Sequence, residues 1–256
     1  MVDIHCHILP GVDDGPETME ESLAMAESAI AQGITHIVAT PHASSEYPFE
    51  YARVRRERDE LQGLVGDRLT LATGCDFHLN TENLQALKDR RERFCINQNN
   101  YLLVEFSDYS IPRSMDQTLH DLQLAGLQPI ITHPERNSIL NSHPERLRQW
   151  IEQGCYAQVT AGALIGAFGS APRRIAETWI AEGLVHFAAS DAHDSRRRPL
   201  MMKKSYRAVT ELFGAEKAQA LFRDNPRAAL EGQALPHVPP LADKRPAARR
   251  KRFFFF

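Results

Sequence analysis

The sequence predicts an α/β protein: a parallel sheet of seven strands, closed or nearly closed into a barrel, with helices on the outside. Three observations carry this. Seven short apolar runs recur along the chain, amphipathic stretches lie between them, and glycines stand where several of those stretches stop. Strand followed by helix followed by strand requires crossover connections, which belong to parallel sheets rather than hairpins. Seven such units suit a ring better than an open sheet.

The elements follow in order. The opening run, "MVDIHCHILP", puts His5 and His7 on one face of an extended strand and Val2, Ile4, Cys6 and Ile8 on the other. "TMEESLAMAESAIAQG" then opens with Thr18 followed three residues later by Glu21, a capping box, and stops at Gly33. "THIVAT" (35–40), "LTLATG" (69–74), "YLLVEF" (101–106), "QPIITH" (128–133), "CYAQVT" (155–160) and "LVHFAAS" (184–190) read as buried strands. Helical patterns cover 49–64, 115–126, 143–154 and 171–183, with Gly126, Gly154 and Gly183 as C-terminal stops. One domain over 1–235 accounts for all of this. From 236 the pattern dissolves into "PHVPPLADKRPAARRKRFFFF", whose proline and charge predict a disordered basic tail over 236–256. The four closing phenylalanines read as a frame-shifted or appended end.

Bulk properties narrow the function classes. With 43% hydrophobic and 25% charged residues over 256 positions, the chain has an ordinary globular composition. No apolar run approaches the ~20 residues of a membrane helix. No basic stretch precedes an apolar one at the N-terminus, so a cytoplasmic location is expected. Cysteines 6, 75, 95 and 155 form no C-x-x-C pair, and none is followed by arginine six positions later, as a cysteine phosphatase loop requires. All four read as reduced packing residues. Residues 243–256 hold six basic side chains, and the rest of the chain carries 24 basic against 32 acidic residues. Such an acidic body argues against nucleic acid as a partner and suits carboxylates gathered around cations.

In parallel α/β barrels the chemistry sits at the carboxyl ends of the strands. Those ends carry His5 and His7 followed by "PGVDDG", then His42, Asp76, Glu105, His133 with Arg136, and finally Asp191 and His193; the sixth strand gives only "VTAGAL". One histidine after a strand is usually structural. A carboxylate inside "YLLVEF" is different, because burying it costs several kcal/mol unless it is paired or ligated. Five histidines and several carboxylates on one rim need cations to balance them. Imidazole with carboxylate suits zinc, manganese or iron, and ligands from separate strands suit a multinuclear site. Arg136 lies three residues beyond His133 and Arg198 five beyond His193. Guanidinium groups beside such a site grip phosphate oxygens, so both are candidate catalytic residues, whereas Arg196 and Arg197 read as surface charges.

"DIHCHILPGVDDGPETMEESLAMAESAIAQGITHIVATPH" resembles the polymerase-and-histidinol-phosphatase (PHP) superfamily. Within it, the chain is similar to the manganese-dependent protein-tyrosine phosphatases of bacterial capsule and exopolysaccharide loci, the CpsB/CapC/YwqE type. "THPERN", "GCYAQVTAGAL", "ASDAH", "RP" and "DNPRAAL" extend the match to about residue 232. The resemblance implies a distorted seven-stranded (βα) barrel with up to three divalent ions. It implies His5, His7, Asp76 and Asp191 on the first ion, Asp76, Glu105 and His133 on the second with Asp76 bridging, and Asp14, His42 and His193 on the third. Arg136 and Arg198 match the family's phosphate-binding arginines. Gram-positive members carry glutamate at the bridging position, where this chain has the shorter Asp76. The implied substrate is the phosphotyrosine tail of a membrane-associated bacterial tyrosine kinase. The basic tail of this chain could add weak contact with the inner face of the membrane. Asp14 in "PGVDDGP" matches the capsule-locus enzymes. The alternatives are a histidinol phosphatase or other small-molecule phosphoesterase, and a non-catalytic metal-binding regulatory domain.

Overall fold

The computed structural model describes residues 1–242. Nine strands, all parallel, form two ladders: β1 (Val2–Cys6), β2 (His36–Ala39) and β4 (Thr70–Thr73) in one, and β3 (His42–Ala43), β5 (Asp76–His78), β6 (Tyr101–Glu105), β7 (Gln128–Thr132), β8 (Tyr156–Thr160) and β9 (Phe187–Ala189) in the other. They amount to seven staves. The second and third staves are each bent, β2 into β3 at Thr40-Pro41 and β4 into β5 at Gly74-Cys75. Proline has no N–H for the ladder. Pairing survives the bend because the Gly74 N–H donates to the Ala39 carbonyl at 2.9 Å and the Asp76 N–H to the Pro41 carbonyl at 3.0 Å. Gly74 permits the close approach, since a Cβ there would lie 3.1 Å from Val38 Cγ1.

The last stave meets the first without a regular ladder. An isolated bridge joins Cys6 to Ala192. The Asp191 N–H donates to the His5 carbonyl at 2.8 Å and the His7 N–H to the Ala192 carbonyl at 2.9 Å. Buried Asp3 reinforces this seam, its Oδ1 accepting the Ser190 N–H at 2.9 Å. The expected parallel α/β staves are therefore present, distorted at two bends, with the first and last joined by these bonds rather than by a ladder that closes the sheet.

The faces of β1 differ from simple alternation. Its register against β2 shifts between Asp3 and Cys6. Val2 and Ile4 join the inner cluster with Leu103, Ile130 and Phe187, whereas Cys6 and Ile8 pack in the larger outer cluster under the helices. A β-bulge supplies the reason: one extra residue swaps the faces, so that apolar side chains fill the barrel below and His5 and His7 face inward above.

The helices expected between staves form at Met19–Ala31, Tyr51–Val65, Ser114–Leu124, Pro144–Glu152 and Ser170–Ala181. Thr18 caps the first through the Glu21 N–H, at 3.3 Å, while the Glu21 carboxylate reaches the N–H of Glu17 instead of closing a box on Thr18. Beneath the barrel, residues 225–235 plug the base. The Tyr101 hydroxyl donates to the Gln233 carbonyl at 2.7 Å, and the Asn225 amide to the His186 carbonyl at 2.9 Å. Residues 236–242, expected in the tail, run along the body. The Ala242 N–H donates to the Glu182 carbonyl at 3.0 Å, and the Arg148 guanidinium to the Ala242 carbonyl at 3.1 Å. Backbone groups with partners on the body do not behave as a free tail. The basic and phenylalanine-rich remainder lies outside the described residues. Among the described residues no helix is long and apolar enough to cross a membrane.

Candidate metal centre

The nine ligand-type side chains gather on one rim. His5 lies on β1 and His7 directly follows it, His42 and Asp76 begin β3 and β5 just past the two bends, and Glu105 ends β6. His133 and Asp191 follow β7 and β9 in the left-handed region, with φ of 32° and 50°. Non-glycine residues seldom adopt that conformation, and its cost is tolerated where a side chain must be turned back into a site. Asp14 comes from the loop after β1, and His193 follows Asp191.

The side chains approach in overlapping groups whose ligand atoms lie within 4.8 Å of one another: His5, His7 and Asp76; His5, His133 and Asp191; Asp76, Glu105 and His133; His7, Asp14, His42 and His193; and His42, His78 and Glu105. Asp76 Oδ2 sits 3.5 Å from both His5 Nε2 and His42 Nδ1 and 3.8 Å from His133 Nε2. This one oxygen is shared by three histidines, despite the short side chain. His7 reaches towards two groups, with Nε2 3.6 Å from Asp191 and its ring stacked on His193 at 3.8 Å between centroids.

Asp191 links two kinds of partner. Its Oδ1 faces His5 and His7, each at 3.6 Å. Its Oδ2 receives both guanidiniums, Arg198 Nη2 at 2.8 Å and Arg136 Nη1. Arg198 Nη1 also lies 3.9 Å from Asp14, and Arg136 Nη1 donates to Thr160 Oγ1 at 3.3 Å. Both arginines thus stand at the edge of the cluster.

Supporting contacts fix the imidazoles. His7 Nδ1 is 2.6 Å from Asp13 Oδ2, which also accepts the His42 N–H at 3.0 Å. His5 Nδ1 is 2.9 Å from Gln158 Oε1. Such partners orient a ligating histidine and raise its basicity. The sequence reading did not single out Asp13, Gln158 or His78, whose Nε2 contacts Glu105. The acid pair in "GVDDG" and the i, i+2 spacing of "DFH", which puts Asp76 and His78 on one face of β5, are the signals that could have found Asp13 and His78.

Electrostatics follow from burial and neighbours. Burial disfavours charge on Asp191, but His5, His133, Arg136 and Arg198 outweigh it and hold the carboxyl well below its usual range. Burial likewise opposes ionisation of Asp76, and the neighbouring Glu105 adds to that, yet His5 and His133 bring it down to about 2. Burial lowers His42 and His133, but the neighbouring Glu105 and Asp76 carboxylates outweigh it and raise them to about 9 and about 10. His7 is pushed far down by burial and by three neighbouring imidazoles.

The residues fit divalent cations. Asp76 Oδ2, Glu105 Oε2, His42 Nδ1 and His193 Nε2 are shielded from solvent and lack a hydrogen-bond partner among the described residues. Buried polar atoms without partners are costly, and three of these converge, with His42 Nδ1 3.5 Å from Asp76 Oδ2 and 3.3 Å from Glu105 Oε2, while His193 Nε2 faces Asp14 at 3.3 Å. Imidazole nitrogens and carboxylate oxygens are the donor set of manganese, iron and zinc. A groove of about 620 Å³ between helices Thr81–Arg90 and Ser114–Leu124 shares no residue with this rim.

Comparison with known proteins agrees with this geometry. Residues 1–231 match the family described as capsular polysaccharide synthesis, CpsB/CapC. The chain is 36% identical over 260 residues to the tyrosine-protein phosphatase YwqE of Bacillus subtilis, covering 100% of both chains. It is 33% identical over 248 residues to the tyrosine-protein phosphatase CpsB of Streptococcus pneumoniae, covering 92% of this chain and all of that one. A crystal structure from work on these two proteins, described as unique metal-dependent tyrosine phosphatases, superposes with a TM-score of 0.88 at 34% identity over 96% of this chain and 100% of that one.

Proposed function

The chain belongs to the CpsB/CapC family, and from that premise we propose that it is a metal-dependent protein-tyrosine phosphatase. Its substrate is the phosphotyrosine tail of a membrane-associated bacterial tyrosine kinase that regulates capsular or exopolysaccharide synthesis. The observation that carries this reading is the rim itself: shielded ligand atoms without partners, bordered by two arginines that share one carboxylate oxygen.

His5, His7, Asp76 and Asp191 would hold one ion, Asp76, Glu105 and His133 a second, and Asp14, His42 and His193 a third. Manganese is the proposed metal, with zinc and iron suited to the same donors. Bound there, such ions supply Lewis-acid charge and lower the pKa of a coordinated water towards neutrality. The protein's own groups do the rest. Arg136 and Arg198 bind the phosphate oxygens, fix the phosphorus in the rim and offset the charge that spreads over the oxygens as the ester bond breaks. Asp191 keeps both guanidiniums in place beforehand, so little reorganisation is needed. A tyrosine phenolate, with a pKa near ~10, departs without a strong general acid.

A phosphocysteine route has no candidate nucleophile. All four thiols are buried, and burial lifts Cys95 and Cys155 to about 12 and Cys6 and Cys75 well above the ordinary value. A flexible kinase tail can enter an open rim without unfolding a domain. The enzyme works in the cytoplasm, with its own basic tail drawing it towards the inner face of the membrane.

The test compares metal-stripped and manganese-reloaded protein on a phosphotyrosyl peptide and on histidinol phosphate. Turnover is expected only after reloading, with the peptide favoured at least about tenfold, a difference worth ~1.4 kcal/mol in transition-state binding. Preference for histidinol phosphate would replace the tyrosine reading. Silence of the loaded protein on both substrates would make it a non-catalytic metal-binding domain.

A further inference from the structure

The segment after β8 reads GALIGAFG from Gly162 to Gly169 and supplies no ligand-type side chain, yet three of its eight residues are glycine. Each glycine has a physical use. Gly166 and Gly169 adopt left-handed φ of 79° and 93°. They let the chain double back, with the Ala167 N–H donating to the Gly162 carbonyl and the Gly169 N–H to the Gly166 carbonyl, both at 3.0 Å. Gly162 has no left-handed conformation to explain it. What it provides is space, because a Cβ there would lie 3.1 Å from Phe168 Cε2 and 3.4 Å from Ala167 Cβ and Met201 Sδ. The segment is therefore built to seat one side chain. Phe168 comes to rest with the Arg136 guanidinium carbon 4.6 Å from its ring centroid, within the distance at which an aromatic face attracts a cation.

We propose that Phe168 is a positioning residue for phosphate binding, the platform that holds the Arg136 guanidinium at the orientation the substrate needs. Both side-chain hydrogen bonds that Arg136 makes, to Asp191 and Thr160, use Nη1. Those bonds fix one corner of the fork and leave rotation about it. The Phe168 ring, with the guanidinium carbon over it, restricts that freedom. The Nε and Nη2 N–H groups are then kept for a bidentate hold on phosphate oxygens. The inference rests on the reading of Arg136 as a phosphate ligand.

The experiment measures inorganic phosphate affinity by calorimetry, kcat/KM on p-nitrophenyl phosphate, and bound manganese. It uses the parent, Phe168→Tyr, Phe168→Leu, Phe168→Ala, Arg136→Ala and the Arg136→Ala/Phe168→Ala double variant. Manganese content should be the same in all. Phe168→Tyr, which keeps the flat face, should stay within about threefold of the parent. Phe168→Leu, which keeps the apolar bulk alone, should lose about five- to thirtyfold in phosphate affinity, the size of one cation–π contact. Phe168→Ala should match it, and adding that change to Arg136→Ala should cost little more, because the ring acts through the guanidinium. Parental phosphate affinity in Phe168→Leu, or an undiminished loss from Phe168→Ala in the Arg136→Ala background, would overturn the proposal. If Phe168→Ala does not fold, the Tyr and Leu pair still decides. A parent that binds phosphate in a Phe168-dependent way but hydrolyses nothing would sink the phosphatase reading and leave this one standing.

Discussion

His133 and His186 are both buried histidines at the ends of barrel strands, one after β7 at the rim and one before β9 at the base. Carboxylates surround the first and lift it to about 10, while burial, helped by the Lys217 charge, pushes the second down to about 4. His186 accepts a hydrogen bond from the Ala157 N–H at 3.3 Å, packs against Tyr156 and meets no acid. The same side chain at the same depth is thus a packing element at one end and a ligand candidate at the other. Burial by itself does not make a site. What makes one is a second set of buried groups whose charge cannot be satisfied without a cation.

The largest effect should come from breaking the rim. His5→Ala or Glu105→Ala is expected to lower phosphatase turnover by about a thousandfold or more and to release manganese, measured by metal analysis on the same preparation. Full activity with intact metal in either variant would remove that residue from the centre.

Next come the arginines, which should separate substrate binding from metal binding. Arg136→Ala and Arg198→Ala should keep their metal and lose roughly ten- to a thousandfold in kcat/KM, as when one oxyanion donor is removed. Lysine should restore little, since a point charge cannot copy the planar fork. Parental kinetics and parental phosphate inhibition in Arg198→Ala would leave Arg136 as the single clamp.

The base should answer to pH rather than to metal. Folded His186 resists the proton, so its contribution to stability is whole above its ordinary value of 6.5 and is lost as pH falls towards about 4. His186→Asn keeps an acceptor that does not titrate. In metal-free protein unfolded by urea, the loss between pH 7 and 4.5 should be smaller in the variant by roughly 2 kcal/mol. Equal losses would mean that His186 does not distinguish the two ends.

Smallest of all should be the thiols. Cys75→Ser, deep in the core and donating to the Phe94 carbonyl at 3.4 Å, should cost about 1 kcal/mol of stability and leave kcat within about threefold. A phosphorylated cysteine trapped during turnover would overturn the metal-dependent route.

Much of this was legible in the sequence, and the reasons are local. Each of the seven apolar runs became a stave, because alternating strand and helix patterns with glycine stops leave few other topologies. The rim residues could be named because histidine and acid at the ends of apolar strands are costly and therefore conspicuous. Other features were hidden. The bulge in β1 moved Val2 and Ile4 inward, and nothing in "VDIHC" marks a slip that exists only against β2. His78 stands two residues beyond Asp76, on the same face of β5, but its partner Glu105 lies on the neighbouring stave, and Asp13 is one of two adjacent acids that the sequence does not tell apart. Both depend on partners far away in the chain, as with Asp13 and His42.

The sequence by itself determined the order of the staves, the end that carries the polar groups, and the residue types that suit a cation. The tertiary structure alone decided which of those groups meet. It turned Oδ1 of Asp191 to the imidazoles and Oδ2 to the arginines, made Asp76 common to three histidines, and folded GALIGAFG so that Phe168 lies over Arg136. Periodicity reports the face of one strand and nothing of its neighbours, whereas ligation, charge coupling and stacking are properties of side chains from different staves, set only when the staves come together.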